Sequence, residues 1–474
     1  MRLAPMLLLL PILACTTADL DPLALDEASF DRELERRFQY GPPQPPPEEL
    51  ADAQAGQVAD AAYLTSFANF DRSYGPRQRA RASRLLDALR ADAGNLSHEQ
   101  FVLRVAEIAA LADNGHTSVD RNAFMKDTPR IPLRTFWFAD GLFVLYADEG
   151  NVDLLGARID RIDGRPLEDV YQAIRAYRGG TDAFRRTQLI PMLESPGLLQ
   201  AAGVAEEQIA LTLSGVDADG APFTRRIVAE QRDRSAWVSS TSRLLHPDRL
   251  ARRGLRSFLR FSEDLPPSLH APDRLFWQET LADGALYVRI DHNADADEAP
   301  IQPFLDGVLE TVRAARPPYV VLDMRINGGG DYTKTYAFAR ALPEAANGAP
   351  IYVLTSPWTF SAAITTVAAL EDAGGDQVTI VGDEVGDRLD FWAEGDSFVL
   401  PNAFLQVHYA TGRHVYNGAC NDLDQCFWLN RRYPVRVSSL TPDIHEPWTF
   451  EAYRNGRDPA LDAITVREAA RHRR

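Results

Sequence analysis

Residues 319–370 read YVVLDMRINGGGDYTKTYAFARALPEAANGAPIYVLTSPWTFSAAITTVAAL, and this stretch decides the fold. The apolar run 319–322 ends in Asp323 and leads to three glycines, Gly328, Gly329 and Gly330. A helical pattern follows, then a second apolar run, 351–354, and Ser361 where a further helix should begin. Short β-branched runs bounded by turn residues are the signature of buried strands. Two such strand ends bring a glycine-rich loop and a serine to one edge of a sheet, where open α/β sheets hold their sites. A serine beside free backbone N–H groups offers a nucleophile and donors for an oxyanion.

The alternation extends on both sides. Residues 285–291, 319–322, 351–354 and 378–381 read as strands, and 303–315, 333–342 and 361–370 as helices. Such alternation predicts an α/β sheet domain. Upstream, short alternating runs at 135–138, 142–147, 158–162, 208–213 and 223–228 are separated by Asp140-Gly141, Asp163-Gly164 and Asp219-Gly220, as in hairpins. Residues 232–273 are rich in Arg and Ser with little periodicity and read as a linker or extended hairpin. Residues 79–111 are helical in pattern, with Ser97 and Gln100 as a capping box and Phe101, Val105, Ile108 and Leu111 on one face. Gly115 then reads as the end of that helix, leaving His116 in a loop at its C-terminus. The dipole there favours the imidazolium and raises its basicity. From local residues alone, a surface turn histidine is the simpler reading of His116. The segment GPPQPPPEEL, residues 41–50, excludes regular helix.

The chain has 474 residues, which suggests about two or three domains. Its 25% charged and 45% hydrophobic residues are ordinary for a globular protein. A formal net charge of −17 and the absence of a basic cluster argue against a nucleic-acid partner. The opening residues MRLAPMLLLLPILAC form a targeting segment: Arg2 is a short positive region, and residues 6–13 an apolar core too short to span a bilayer. Residues 12–15 resemble a lipobox with Cys15 as the lipidated residue, which predicts an exported protein held at a periplasmic face or cell surface by a lipid anchor. Ordinary secretion with cleavage nearby is the alternative. The other two cysteines, Cys420 and Cys426, read as a local disulfide in an oxidising compartment. Zinc, with His408 and His414 as further ligands, is the minor alternative.

Residues 155–167, LGARIDRIDGRPL, resemble the core of PDZ modules, which bind extended peptide ends by strand addition; a generic small β domain is the plainer reading. Taken with Asp113…Gly115-His116-Thr117, residues 323–330 (DMRINGGG) and residues 359–363 (TFSAA), the chain resembles the C-terminal-processing, or tail-specific, serine peptidases, especially their tricorn-like branch. Pro442-Asp443 and Gly456-Arg457-Asp458-Pro459 are also typical of that family's end, so the resemblance covers about residues 100–465 in the right order.

The resemblance implies a mixed α/β and α+β multidomain chain. Residues 1–14 are a signal peptide and 15–50 a tether with the Pro-rich segment. An N-terminal helical region, 51–128, carries His116. A PDZ-like β-rich domain, 129–231, and the linker 232–273 precede an α/β peptidase core of the ClpP/crotonase-like kind, 274–474. Ser361 is implied as nucleophile, with oxyanion donors from the N–H of Ala362 and of Gly328 or Gly329. The tail-specific branch takes its base from a lysine in a turn after the serine. Here residues 381–388, VGDEVGDR, hold no lysine, and an arginine stays protonated. The tricorn-like branch uses a histidine, which His116 matches; His408 is the runner-up. Asp383, Glu384, Ser118 or Thr117 would orient it. Ile364 stands where many members have glutamate, and no glutamate precedes Pro442-Asp443.

The leading expectation is an exported serine endopeptidase acting on peptide or protein substrates, without metal or cofactor. The alternative is a non-catalytic peptide- or ligand-binding protein on the same fold, with the aromatic residues between Phe391 and Trp428 lining a groove; core packing is the plainer use of those rings. Nothing in the sequence sets an oligomeric state.

Overall fold

The computed structural model describes residues 21–474 apart from 43, 45, 121–123, 125–127, 231–241, 297–298, 472 and 474. Cys15 and the targeting segment lie outside the described residues. The chain forms a mixed α/β structure of helices and several sheets.

The central sheet has six strands in the order Ile444–His445, Val378–Gly382, Ile351–Thr355, Val320–Asp323, Leu286–Ile290 and Phe276–Thr280. All neighbours run parallel except the last pair. These strands read as continuous apolar runs because both faces are covered. Val320, Leu322, Ile351 and Val353 pack against the helices Ile301–Ala315, Thr333–Ala346 and Ala362–Gly374. Their alternates Val321, Tyr352 and Leu354 pack against Ala460 and Ile464 of the closing helix Pro459–Arg471. Arg325 is buried against Asp323 and Asp458 (2.6 and 2.7 Å), and Asp458 accepts from Ser268 Oγ at 2.6 Å. The tail is thereby tied to the end of the central strand.

A second, antiparallel sheet runs in the order Leu133–Phe138, Gly141–Ala147, Arg158–Ile162, Ala210–Val216 and Pro222–Val228. The two residues Arg256–Ser257 pair with its strand Gly141–Ala147. The helix Leu167–Ile174 buries Val170, Tyr171 and Ile174 on this sheet's core.

The N-terminal part is helical. Pro76–Asp92 and His98–Ala110 pack together, and Ser97 and Gln100 form the capping box. Right after His116, the strand Ser118–Val119 pairs antiparallel with Leu405–Tyr409 of the C-terminal part, setting Ser118 opposite His408. That short pairing, in a three-stranded sheet completed by Asp396–Leu400, ties the histidine loop to the C-terminal part of the chain. Among the described residues no helix is long and apolar enough to cross a membrane.

Candidate active site

The triple glycine lies where the two strand ends meet. Gly329 and Gly330 have φ of 112° and 125°, a region that favours glycine. A Cβ on Gly329 would sit 2.6 Å from Ser361 Cβ, and one on Gly330 2.6 Å from the Asn293 carbonyl oxygen. Two buried asparagines hold this loop. Asn327 Oδ1 accepts from Gly329 N–H (2.9 Å), and its Nδ2 donates to Ile290 O (3.0 Å) and Asn293 Oδ1 (2.8 Å). Asn293 Nδ2 donates in turn to Thr335 Oγ1 (2.9 Å) and Thr366 Oγ1 (2.8 Å). Every polar atom of a buried amide needs such a partner, and here the partners lock three chain segments around the serine.

Ser361 occupies the N-cap position of Ala362–Gly374, yet its hydroxyl makes no cap bond. Its backbone is at φ 57°, ψ −127°. A non-glycine residue there stores on the order of 1–3 kcal/mol of strain, and such strain concentrates at functional sites. The turn is pinned by Phe360 N–H to Asn327 O (3.0 Å) and by Thr359 Oγ1 to Met324 O (2.9 Å). Ala363 and Ile364 donate their N–H groups to Phe360 O and Ser361 O. Among the described residues this leaves the N–H groups of Ala362 and Gly328 unpaired, while Gly329 N–H is committed to Asn327. Of the two glycine donors expected, Gly328 is thus the one open to a ligand, and it is exposed at the cleft.

His116 Nε2 lies 2.9 Å from Ser361 Oγ, across 245 residues of sequence. The ring stacks on Phe360 (centroids 4.4 Å apart) and faces Phe391 (5.8 Å). Phe184 extends the column beyond Phe360, and His414 beyond Phe391. The sequence predicts a helix terminus that raises His116's basicity; the structure reverses this. The helix stops at Ala110, and Asp113 (φ 50°), not Gly115, takes the left-handed turn. Gly115 is needed because a Cβ there would meet the Phe360 ring at 2.6 Å. Burial, aided by the charges of His414, Arg178 and His408, pushes the imidazole down to about 3. The Trp392 backbone favours the charged ring but does not offset burial. Nδ1 is buried and makes no well-formed hydrogen bond.

None of the residues expected to orient His116 contacts it through a hydrogen bond. Asp383 Oδ1 faces His445 Nε2 at 3.4 Å and accepts from Glu384 N–H; Glu384 is exposed; Ser118 sits in the strand opposite His408. Thr117 Oγ1 instead donates to the buried carboxylate of Asp71 (2.7 Å). His408 Nε2 lies 3.4 Å from Asp120 Oδ2, so the runner-up base is directed at a carboxylate. A further acid packed against the histidine loop is Asp387, which nothing in the sequence singles out. Its Oδ2 is buried without a well-formed hydrogen bond, 3.1 Å from where a Cβ on Gly115 would be, and burial pushes its carboxyl up to about 6 although the backbones of Arg388 and Gly115 oppose that rise. Neither Asn293, Asn327, Asp71 nor Asp387 carries a sequence signal beyond being polar in an apolar neighbourhood.

Cys420 and Cys426 are joined in a disulfide, which takes both thiolates that zinc would need. Phe391, Phe427 and Trp428 are buried, with Trp428 against Phe30 and Phe38, while Phe427 also borders a cleft of about 490 Å³ and Trp392 borders a separate one beside Arg72 and Arg413. A cleft of about 650 Å³ opens at the histidine, bounded by Gly328, Phe360, Trp358 and Phe184.

No family model and no curated protein matches the chain. Among solved structures, mature CPAF complexed with lactacystin superposes with a TM-score of 0.56 at 12% identity, over 88% of this chain and 98% of that one. A CPAF point mutant superposes at 0.58 with 13% identity, over 88% and 97%. The photosystem II D1 C-terminal processing protease aligns over 85% and 94% at 14% identity, but its TM-score of 0.32 is too low to carry an argument. At these identities the likeness to CPAF is one of fold.

Proposed function

We propose that this chain is a serine-type peptidase of the C-terminal-processing kind, with Ser361 as nucleophile and His116 as general base. The observation that carries the reading is the 2.9 Å contact between His116 Nε2 and the oxygen of a serine held in a strained turn at a helix start. An N-cap serine normally bonds its own helix; this one is turned to a histidine instead. A neutral imidazole accepts the Ser361 proton at Nε2 as Oγ attacks the substrate carbonyl carbon. The oxyanion receives the N–H groups of Gly328 and Ala362, each such donor worth about 3 kcal/mol of barrier. The C–N bond then breaks, Nε2–H protonates the leaving amine, and water hydrolyses the acyl-enzyme by the reverse proton path.

The antiparallel sheet of residues 133–228 is read as a PDZ-like module presenting peptide substrates, and the parallel sheet as a ClpP/crotonase-like core. Export and lipid anchoring through Cys15 complete the reading, on the sequence of the first residues alone. The lack of a carboxylate at Nδ1 among the described residues favours a second reading, a peptide-binding protein without turnover.

A fluorophosphonate probe separates the two. Labelling of the intact chain that disappears in Ser361→Ala and falls at least about a hundredfold in His116→Ala supports the peptidase. A chain that stays unlabelled while binding peptides is the non-catalytic protein.

A further inference from the structure

The cleft at His116 also holds charged groups that acyl transfer does not use. Arg243, on the short turn Ser242–Leu245, lines it together with Asp291 and His292, which follow the strand Leu286–Ile290. The turn is anchored by Leu244 and Leu245, both buried. Asp291 has no exposed side-chain surface and is flanked by two guanidinium groups: Arg289 Nε at 3.1 Å and Arg243 Nη2 at 4.0 Å. Its two oxygens make no well-formed hydrogen bond.

The two arginines differ in how their donors are used. Arg289 is fully buried and donates to the carbonyls of His270 (2.6 Å) and Ala271 (2.7 Å). Arg243 keeps 18% of its side chain exposed, and among the described residues its only ion pair is the long one to Asp291. One carboxylate between two guanidinium groups leaves one positive charge in excess, and the exposed share of it is on Arg243. The remaining charges on the cleft are already engaged. Arg178 donates to Val119 O and Gly115 O, and Asp120 faces His408. Burial and the charge of Arg243 lower the pKa of His292, disfavouring its charged form. A guanidinium with open donors in a partly desolvated cleft matches a carboxylate in a planar, two-bond geometry. Asp291 is too deeply buried to take a cationic group from the substrate, so it serves as the backing that holds Arg243 in place.

We propose that Arg243 is a specificity-determining residue of the Ser361 cleft and that it binds a carboxylate of the substrate, from an acidic side chain or from a free chain end. This deepens the peptidase reading and rests on it for turnover, though not for binding.

The test uses the full chain and a set of decapeptides. Each is made as free acid and as C-terminal amide, and with Asp/Asn and Glu/Gln exchanged at each position. The readout is the acidic-to-neutral ratio of kcat/KM, which a misfolded fraction does not alter. The wild type should favour the acidic member by about tenfold to a hundredfold, the range of a hydrogen bond to a charged group. In Arg243→Gln the ratio should collapse toward one, and Arg243→Lys should restore part of it. Dependence on the free acid identifies a chain end as the source; dependence on Asp or Glu identifies a side chain. In parallel, fluorescein-labelled members are bound to Ser361→Ala, which needs no catalysis. A chain that cleaves nothing but binds acidic peptides through Arg243 overturns the peptidase reading and keeps the subsite. Equal affinity for acidic and neutral members, or a ratio unmoved by Arg243→Gln, overturns the subsite whatever the chain cleaves.

Discussion

At the scale of the residue, His116 and Ser361 make their pair by opposite departures from the ordinary. The serine is strained, and the histidine is a weakened base. The folded imidazole near 3 lies below its usual 6.5, so between those values the unfolded chain binds the proton more readily. Stability from His116 is therefore fully present above pH 6.5 and is lost as pH falls toward 3. Asp387 runs the other way. Raised from 3.8 to about 6, it contributes stability below 3.8 that is lost as pH rises through 6. Fluorophosphonate labelling of Ser361 should accordingly stay level between pH 8 and about 5. A fall centred near 6.5 that persists in Asp387→Asn would show that the ring is not held neutral. Gly329 tests the geometry of the same pair. Gly329→Ala places a methyl against Ser361 Cβ at a φ of 112°. Labelling should drop about a hundredfold, as for a reacting group displaced by an ångström, while thermal unfolding shifts only modestly. The sequence showed the glycine run and the serine, because both are local. It could not show the base strength of His116, which depends on burial and on the charges of His414, Arg178 and His408, all brought to it from distant segments.

Among elements, the parallel strands were legible because burial on both faces leaves no polar alternation to interpret. The capping box of His98–Ala110 was legible for a similar reason, since all its partners lie within one turn. The strand Ser118–Val119 was not: two residues carry no period, and its partner is near residue 408. The aromatic column was invisible as well, because Phe184, Phe360, Phe391 and His414 come from four separate elements. With no carboxylate at Nδ1 among the described residues, the column and the Trp392 backbone are the groups that face the His116 ring. Phe391→Leu should separate packing from stacking. This large-to-small apolar exchange at a buried position costs roughly 0.5–3 kcal/mol of stability, read by urea unfolding. Loss of the aromatic contact, about 1 kcal/mol, should nonetheless slow labelling by several-fold. Unchanged labelling at reduced stability would assign the column to packing alone.

For the whole molecule, the site exists only where chain ends meet, and Asp71 is the fastening. Its carboxylate is fully buried and accepts from Ser73 N–H (2.8 Å), Ser73 Oγ (2.5 Å), Thr117 Oγ1 (2.7 Å) and Ala410 N–H (3.1 Å). Three segments converge there: the N-terminal helical part, the residue after His116, and the loop leaving the strand Leu405–Tyr409. Burial raises the carboxyl's pKa, and the hydrogen bonds oppose that rise. Asp71→Ala removes the acceptor and strands several buried donors. Each unpaired group costs about 1–3 kcal/mol, so a loss of roughly 3 kcal/mol or more is expected. Because Thr117 adjoins the base, the damage should be catalytic as well as structural. Asp71→Ala should lower both the melting temperature and the labelling rate of the protein that remains folded. Ser361→Ala should abolish labelling and leave melting nearly unchanged, or raise it slightly by removing a polar group from the strained turn. If Asp71→Ala melts early but labels at the full rate per folded molecule, Asp71 stabilises the assembly without setting the position of His116. If both fall together, the junction that Asp71 makes between the N-terminal helices, the residue after His116 and the loop leaving the strand Leu405–Tyr409 is what holds His116 against Ser361.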